Sequence, residues 1–82
     1  MADQLFEYKT MAAHVVLYKN RLEFKFTGLF AKTETILLRN ITNVKTALGR
    51  NMEVTTSAGQ SITVPIYGKE AETLKRLIFD NL

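Results

Sequence analysis

Side chains that could carry out acid–base or nucleophilic chemistry are few in this sequence. His14 is the only histidine, cysteine is absent, and the eight carboxylates are dispersed along the 82 residues. A general base needs a nucleophile and an orienting acid within hydrogen-bond reach, and no such grouping is visible around His14. No zinc, calcium or phosphate-loop motif occurs either. We therefore expect no catalysis, no metal site and no cofactor.

Basic residues offer a different chemistry, the binding of anions. Lys19 and Arg21 flank Asn20, at the predicted tip of a hairpin, and Lys25, on the second strand, could cluster with them. Each such charge near an anionic membrane adds about 1 kcal/mol, which predicts weak peripheral binding without stereospecificity. The simpler explanation of these basic residues is that a charged hairpin tip reduces aggregation.

Paired large apolar residues mark a second candidate contact. Leu29 and Phe30 lie beside Lys32 in the stretch GLFAK (28–32), which we place in a loop between strands. Loops rarely expose such pairs without a reason. The pair could fold back over the core, insert shallowly into a membrane, or contact a partner protein. The candidate lipid or partner contacts are therefore Lys19, Arg21, Lys25, Leu29, Phe30 and Lys32.

The overall charge does little to narrow the choice of partner. The net charge is +3, and the eleven basic residues are spread along the chain rather than clustered. Single-stranded nucleic acid would need aromatic side chains facing water beside these charges. Phe24 and Phe26 alternate in register with Val15 and Leu17, which predicts that they are buried. Nucleic acid is therefore the least favoured partner.

The stretch RNITNV (39–44) allows three interpretations: a glycosylation acceptor, a nucleic-acid contact, or a corner between strands. The N-terminal residues have no basic segment followed by a long apolar run, and no stretch approaches the roughly 20 apolar residues of a membrane span. We expect a cytoplasmic chain, with a peripheral membrane position as the alternative. Ile41 and Val44 then become core residues at a corner.

Period-two alternation dominates the chain and predicts a β-rich fold. A two-residue turn at Lys19-Asn20 places Leu17 opposite Leu22, Val15 opposite Phe24 and Ala13 opposite Phe26, so both strands bury one face. A three-residue loop ending at Gly59 pairs Val54 with Ile62 and Met52 with Val64. Pro65 then ends the last strand or lies at an edge.

The remaining segments complete the predicted elements. Two further short strands are expected at 33–39 and 43–48, and residues 1–10 form a first strand, an arm or a short helix. If they form a strand, Phe6 and Tyr8 share a face and are candidates for self-association with a second copy. Helical spacing of apolar residues over 69–82 predicts a capping helix. Its apolar stripe is Ala71, Leu74, Leu77, Ile78 and Leu82.

The middle of the chain is similar to the bacterial pleckstrin-homology-like domains. In the stretch 27–44, a Gly-Leu-Phe turn precedes a basic-Thr strand and an Ile-x-x-Val corner, although Leu37 stands where proline is common. The matching residues are Gly28, Leu29, Phe30, Lys32, Thr33, Ile36, Leu38, Ile41 and Val44. The length of the chain predicts one domain over 1–82. The resemblance, which covers roughly residues 13–82, implies a barrel or sandwich of six or seven antiparallel strands capped by helix 69–82.

Neither the residues nor the resemblance identifies a ligand, because one fold hosts many functions. We expect a noncatalytic interaction module that binds another protein, itself, or both. Weak binding to an anionic phospholipid membrane is the alternative.

Overall fold

Antiparallel strands make up most of the fold, and a single helix follows them. The computed structural model describes residues 4–26 and 32–82. Within these ranges the strands are β1 (Gln4–Lys9), β2 (Ala13–Tyr18), β3 (Arg21–Phe26), β4 (Thr33–Leu37), β5 (Ile41–Lys45), β6 (Met52–Thr56) and β7 (Ser61–Val64). Helix α1 spans Lys69–Asp80. The predicted mostly-β fold with a C-terminal helix is confirmed.

The strands form two sheets that share one core. One sheet has the order β1-β2-β3-β4 and the other β5-β6-β7. Apolar side chains from both sheets and from α1 make up a continuous buried cluster. The N-terminal segment is a strand rather than an arm or a helix, and it pairs with β2 within the same chain.

Both predicted hairpin registers are confirmed. Leu17 lies opposite Leu22 and Val15 opposite Phe24 in the first hairpin, while Val54 lies opposite Ile62 in the second. β7 ends at Val64, immediately before Pro65, which has no N–H group to continue the ladder. β7 is also an edge strand of its sheet.

The corner between the sheets differs from the predicted strand bounds. β4 ends at Leu37 and a 3-10 turn spans Leu38–Asn40, so β5 begins at Ile41 rather than at residue 43. The register of β5 shifts between Ile41 and Asn43. This irregularity lets Ile41 and Val44, three residues apart, both be buried, as the corner interpretation predicted.

Three side chains do not have the predicted burial. Phe26, expected in the core, is exposed because it lies at the end of β3, beyond the part of the sheet that is covered. Val16, on the outward face, is buried at the centre of the four-stranded sheet. Leu82 is exposed because α1 ends at Asp80, so Leu82 lies beyond the helix and does not extend its buried face.

Candidate functional site

The hairpin tip forms as predicted, but Arg21 already has partners there. Its Nε donates to Glu23 at 2.6 Å, one terminal nitrogen donates to the Asn20 side chain at 3.1 Å, and its guanidinium stacks 4.0 Å from the centre of the Tyr18 ring. Lys19 is exposed beside these residues. The positive charge of Arg21 is therefore largely engaged within the chain.

Lys25 does not belong to the tip, and the prediction that it clusters with Lys19 and Arg21 is wrong. It lies near the opposite end of β3, where it faces His14 on β2 and Thr33 on β4. Strand geometry explains this, because four residues of extended chain span about 13 Å. Lys32, which precedes Thr33, is exposed at this same end. Leu29 and Phe30 lie outside the described residues.

His14 lies on the outward face, as predicted, and has an acidic neighbour. Its Nε2 is 2.6 Å from Oε2 of Glu7 on the adjacent strand. The described residues hold no group of three or more potential metal ligands. This pair is a cross-strand contact on the outward surface of the sheet.

Phe6 and Tyr8, the candidate residues for self-association, face inward. Both are half-buried and pack against the core cluster. Their strand, β1, is an edge strand of its own sheet, so pairing with β2 already occupies one of its two sides. Tyr8 nevertheless remains partly accessible, because it borders a surface cleft.

This cleft, at the end of the four-stranded sheet away from the hairpin tip, brings together two exposed aromatic residues, Phe26 and Tyr67, and the half-buried Tyr8. We call it the aromatic cleft, and its volume is about 380 Å³. The described residues that line it are Tyr8, Thr10, Met11, Ala12, Ala13, Phe26, Asn51, Pro65 and Tyr67. They come from the β1–β2 turn, the end of β3, the segment before β6 and the segment between β7 and α1.

Local hydrogen bonds fix the walls of the aromatic cleft. In the β1–β2 turn, the Thr10 hydroxyl accepts hydrogen bonds from the N–H groups of Ala12 and Ala13, at 3.2 and 3.0 Å. On the other side, the Met52 N–H donates to the Ile66 carbonyl at 2.8 Å, which anchors the segment carrying Tyr67. One wall is therefore held by side-chain-to-backbone hydrogen bonds and the other by a backbone hydrogen bond.

The surroundings of Tyr8 disfavour the ionisation of its hydroxyl. Burial raises the pKa of its hydroxyl above the ordinary value of 10.0, and the neighbouring Tyr67 and Glu70 raise this pKa further. Both neighbours act in the same direction because a negative charge nearby disfavours the tyrosinate.

Other surface depressions are less apolar or lie beside charged groups. A cleft of about 410 Å³ lies between the hairpin tip, the 3-10 turn and the end of α1, where Lys19 and Arg39 border it. These cations lie near the negative end of the helix dipole, which accounts for their position.

A shallow groove of about 560 Å³ separates the edge strands β4 and β7. The buried Thr56 hydroxyl, which borders the adjoining part of this groove, has no hydrogen-bond partner among the described residues.

Comparisons of the chain with family models, with curated proteins and with solved structures found no match. The resemblance to bacterial pleckstrin-homology-like domains therefore stays a prediction from the motif in residues 27–44. No helix in the described part of the chain has the length and apolar character that crossing a bilayer requires.

Sequence reasoning missed most of the aromatic cleft. Met11 and Tyr67 lie in short connections, next to Thr10 and Gly68, and large apolar residues in turns are a recognisable signal of surface contact. The sequence does not predict that Met11 and Tyr67 lie close together, because 56 residues separate them along the chain. Among the predicted contact residues that the structure describes, only Tyr8 lines the aromatic cleft.

Proposed function

We propose that this chain is a noncatalytic protein-binding module and that the aromatic cleft is its contact surface. One observation carries the proposal. Met11, Phe26 and Tyr67 have exposed fractions of 98%, 52% and 56%, and all three line one cleft although they are far apart in sequence. Exposed apolar side chains on a surface without a partner are usually scattered singly.

The composition of the aromatic cleft suits a protein partner. Tyrosine, phenylalanine and methionine are enriched at the centres of protein–protein interfaces. Tyrosine supplies a large contact area at low entropic cost, and methionine adapts its shape to the surface that it meets. Thr10 and Asn51 provide the polar rim that such an interface has.

The charge beside the aromatic cleft favours a protein over a lipid surface. Glu70 helps to raise the pKa of Tyr8, which lines the aromatic cleft. A carboxylate near this cleft would be repelled by an anionic bilayer. The basic residues of the lipid hypothesis are divided between the two ends of β3, and Arg21 is engaged by Glu23. Membrane binding through one continuous basic surface is therefore the less favoured function.

The test compares the proteins captured by two matched variants. Met11→Ser with Tyr67→Ser removes apolar area from the aromatic cleft, while Leu48→Ser removes one fully exposed leucine outside it. We expect specific proteins in a native extract to be retained by the wild type and by Leu48→Ser, and to be lost with the double variant. Circular dichroism checks that all three chains fold. Identical captured sets for all three would contradict the proposal.

Sedimentation of the same three chains asks whether the partner is a second copy. A wild-type dimer that Leu48→Ser keeps and the double variant loses would identify this chain as its own partner. A monomer in every case, together with specific capture, would identify a different protein.

A further inference from the structure

We infer that the aromatic cleft receives a lysine or arginine side chain of the partner protein. This inference rests on the proposed function, since it names the chemistry by which that same surface would recognise its partner. It follows from the aromatic residues that line the cleft and from an acidic residue, Glu70, in the first turn of the helix that follows Tyr67.

Three aromatic rings border the same space. Tyr8, Phe26 and Tyr67 line the aromatic cleft together, and each comes from a different segment of the chain. The face of an aromatic ring has a negative electrostatic potential, so a cation placed over it is attracted. Several rings around one space add these attractions and exclude water from the bound cation.

A carboxylate lies next to these rings. Glu70 is in the first turn of α1, three residues after Tyr67. Its Oε2 is 3.8 Å from the place that a Cβ atom at Gly68 would occupy, so the side chain turns back towards the residue that follows Tyr67. Glu70 is also among the groups that raise the pKa of the Tyr8 hydroxyl, after burial and Tyr67.

No lysine or arginine is among the described residues that line the aromatic cleft. Lys9 belongs to the opposite face of β1, where it is in register with His14 on the outward side. Lys69 borders a different cleft, together with Thr46 and Glu72. The rings and the carboxylate therefore form a cation-binding arrangement with space for a cation from outside.

The hairpin tip shows the same arrangement with its cation present. There, Arg21 stacks on Tyr18 at 4.0 Å and pairs with Glu23 at 2.6 Å. The aromatic cleft repeats the combination of tyrosine and glutamate, with Tyr8 and Tyr67 as rings and Glu70 as the acid. An arginine or lysine from a partner would make contacts of the kind that Arg21 makes within the chain.

The experiment titrates the full chain with capped single amino acids and follows backbone amide signals by NMR. The probes are N-acetyl lysine N-methylamide, the corresponding arginine compound, and the neutral norleucine compound as a control of similar length. We expect the cationic probes to shift signals of Phe26 and Tyr67 and to bind about tenfold more tightly than norleucine. Equal binding of all three, or no binding up to about 50 mM, would overturn the inference.

Two glutamate variants test the role of Glu70. Glu70→Gln should weaken binding of the cationic probes about fivefold, because it removes the charge and keeps the shape. Glu53→Gln, an exposed acid on β6, should leave binding unchanged. An unchanged affinity with Glu70→Gln would refute the acidic contribution and with it the inference.

Capture experiments with Glu70→Gln separate this inference from the proposed function. If capture is lost with Met11→Ser and Tyr67→Ser but kept with Glu70→Gln, the protein-binding function stands and cation recognition fails. If no variant of the aromatic cleft alters capture, the proposed function itself fails, whatever the probes do.

Discussion

At the scale of single residues, Tyr8 connects the core to the surface. Its ring packs against the buried cluster while its hydroxyl lies near Tyr67 and Glu70. Burial first, and then these two neighbours, raise the pKa of Tyr8 above 10.0. The folded chain therefore keeps the Tyr8 proton at a pH at which the unfolded chain has begun to lose it.

This raised pKa predicts a loss of stability at high pH. The contribution of Tyr8 is fully present below pH 10.0 and is lost as the pH rises from there through the folded-state pKa. Replacing Tyr8 with phenylalanine removes the titrating group. Urea unfolding of both chains from about pH 9 to about pH 11 should show a steeper decline for the wild type. Parallel declines would contradict the assignment.

At the scale of elements, the β6–β7 connection sets the register of the second hairpin. Gly59 has a φ of +81°, and its N–H donates to the Thr56 carbonyl at 2.9 Å. An odd number of loop residues is needed for Val54 and Ile62 to share a face. The left-handed conformation at Gly59 makes this loop possible.

Substitutions at Gly59 should therefore destabilise the fold through strain in the backbone alone. A Cβ atom there would meet nothing within 4 Å, so steric crowding contributes little. We expect Gly59→Ala to lower the free energy of unfolding by about 1 kcal/mol. Gly59→Asn should lower it less, since asparagine adopts positive φ more readily. Urea denaturation measures both, and an equal loss for the two variants would contradict the backbone explanation.

At the scale of the whole molecule, α1 joins the two sheets into one core. Ala71, Leu74 and Ile78 are buried in the cluster that both sheets share. The Thr46 hydroxyl, from the connection after β5, also donates to the Glu72 carboxylate at 2.7 Å. A chain of this size has little stability to spare, so removal of one such contact should affect both sheets together.

Leu74→Ala tests this role of the helix. The leucine is fully buried, and we expect a loss of about 3 kcal/mol in the free energy of unfolding. Leu82→Ala is the matched control, because its exposed side chain should contribute less than about 0.5 kcal/mol. Amide hydrogen exchange should show faster exchange in both sheets for Leu74→Ala. Faster exchange confined to α1 would contradict a shared core.

The hairpin registers were predictable from the sequence because they depend on a local pattern. Alternating side chains fix which face of a strand is apolar, and the loop length fixes which residues lie opposite each other. The helical spacing after Gly68 predicted α1 for the same reason. The 3-10 turn at the corner was not predicted, since an irregular register in β5 can satisfy the same spacing of Ile41 and Val44.

By itself, the sequence determined which side chains share a face, and hence the β-rich architecture and most of its core. Only the tertiary structure decided what covers each face. It left Phe26 exposed, separated Lys25 from the hairpin tip, and placed Met11 beside Tyr67 in one cleft. The reason is physical: periodicity acts over neighbouring residues, whereas burial and surface clefts depend on segments that meet only when the whole chain folds.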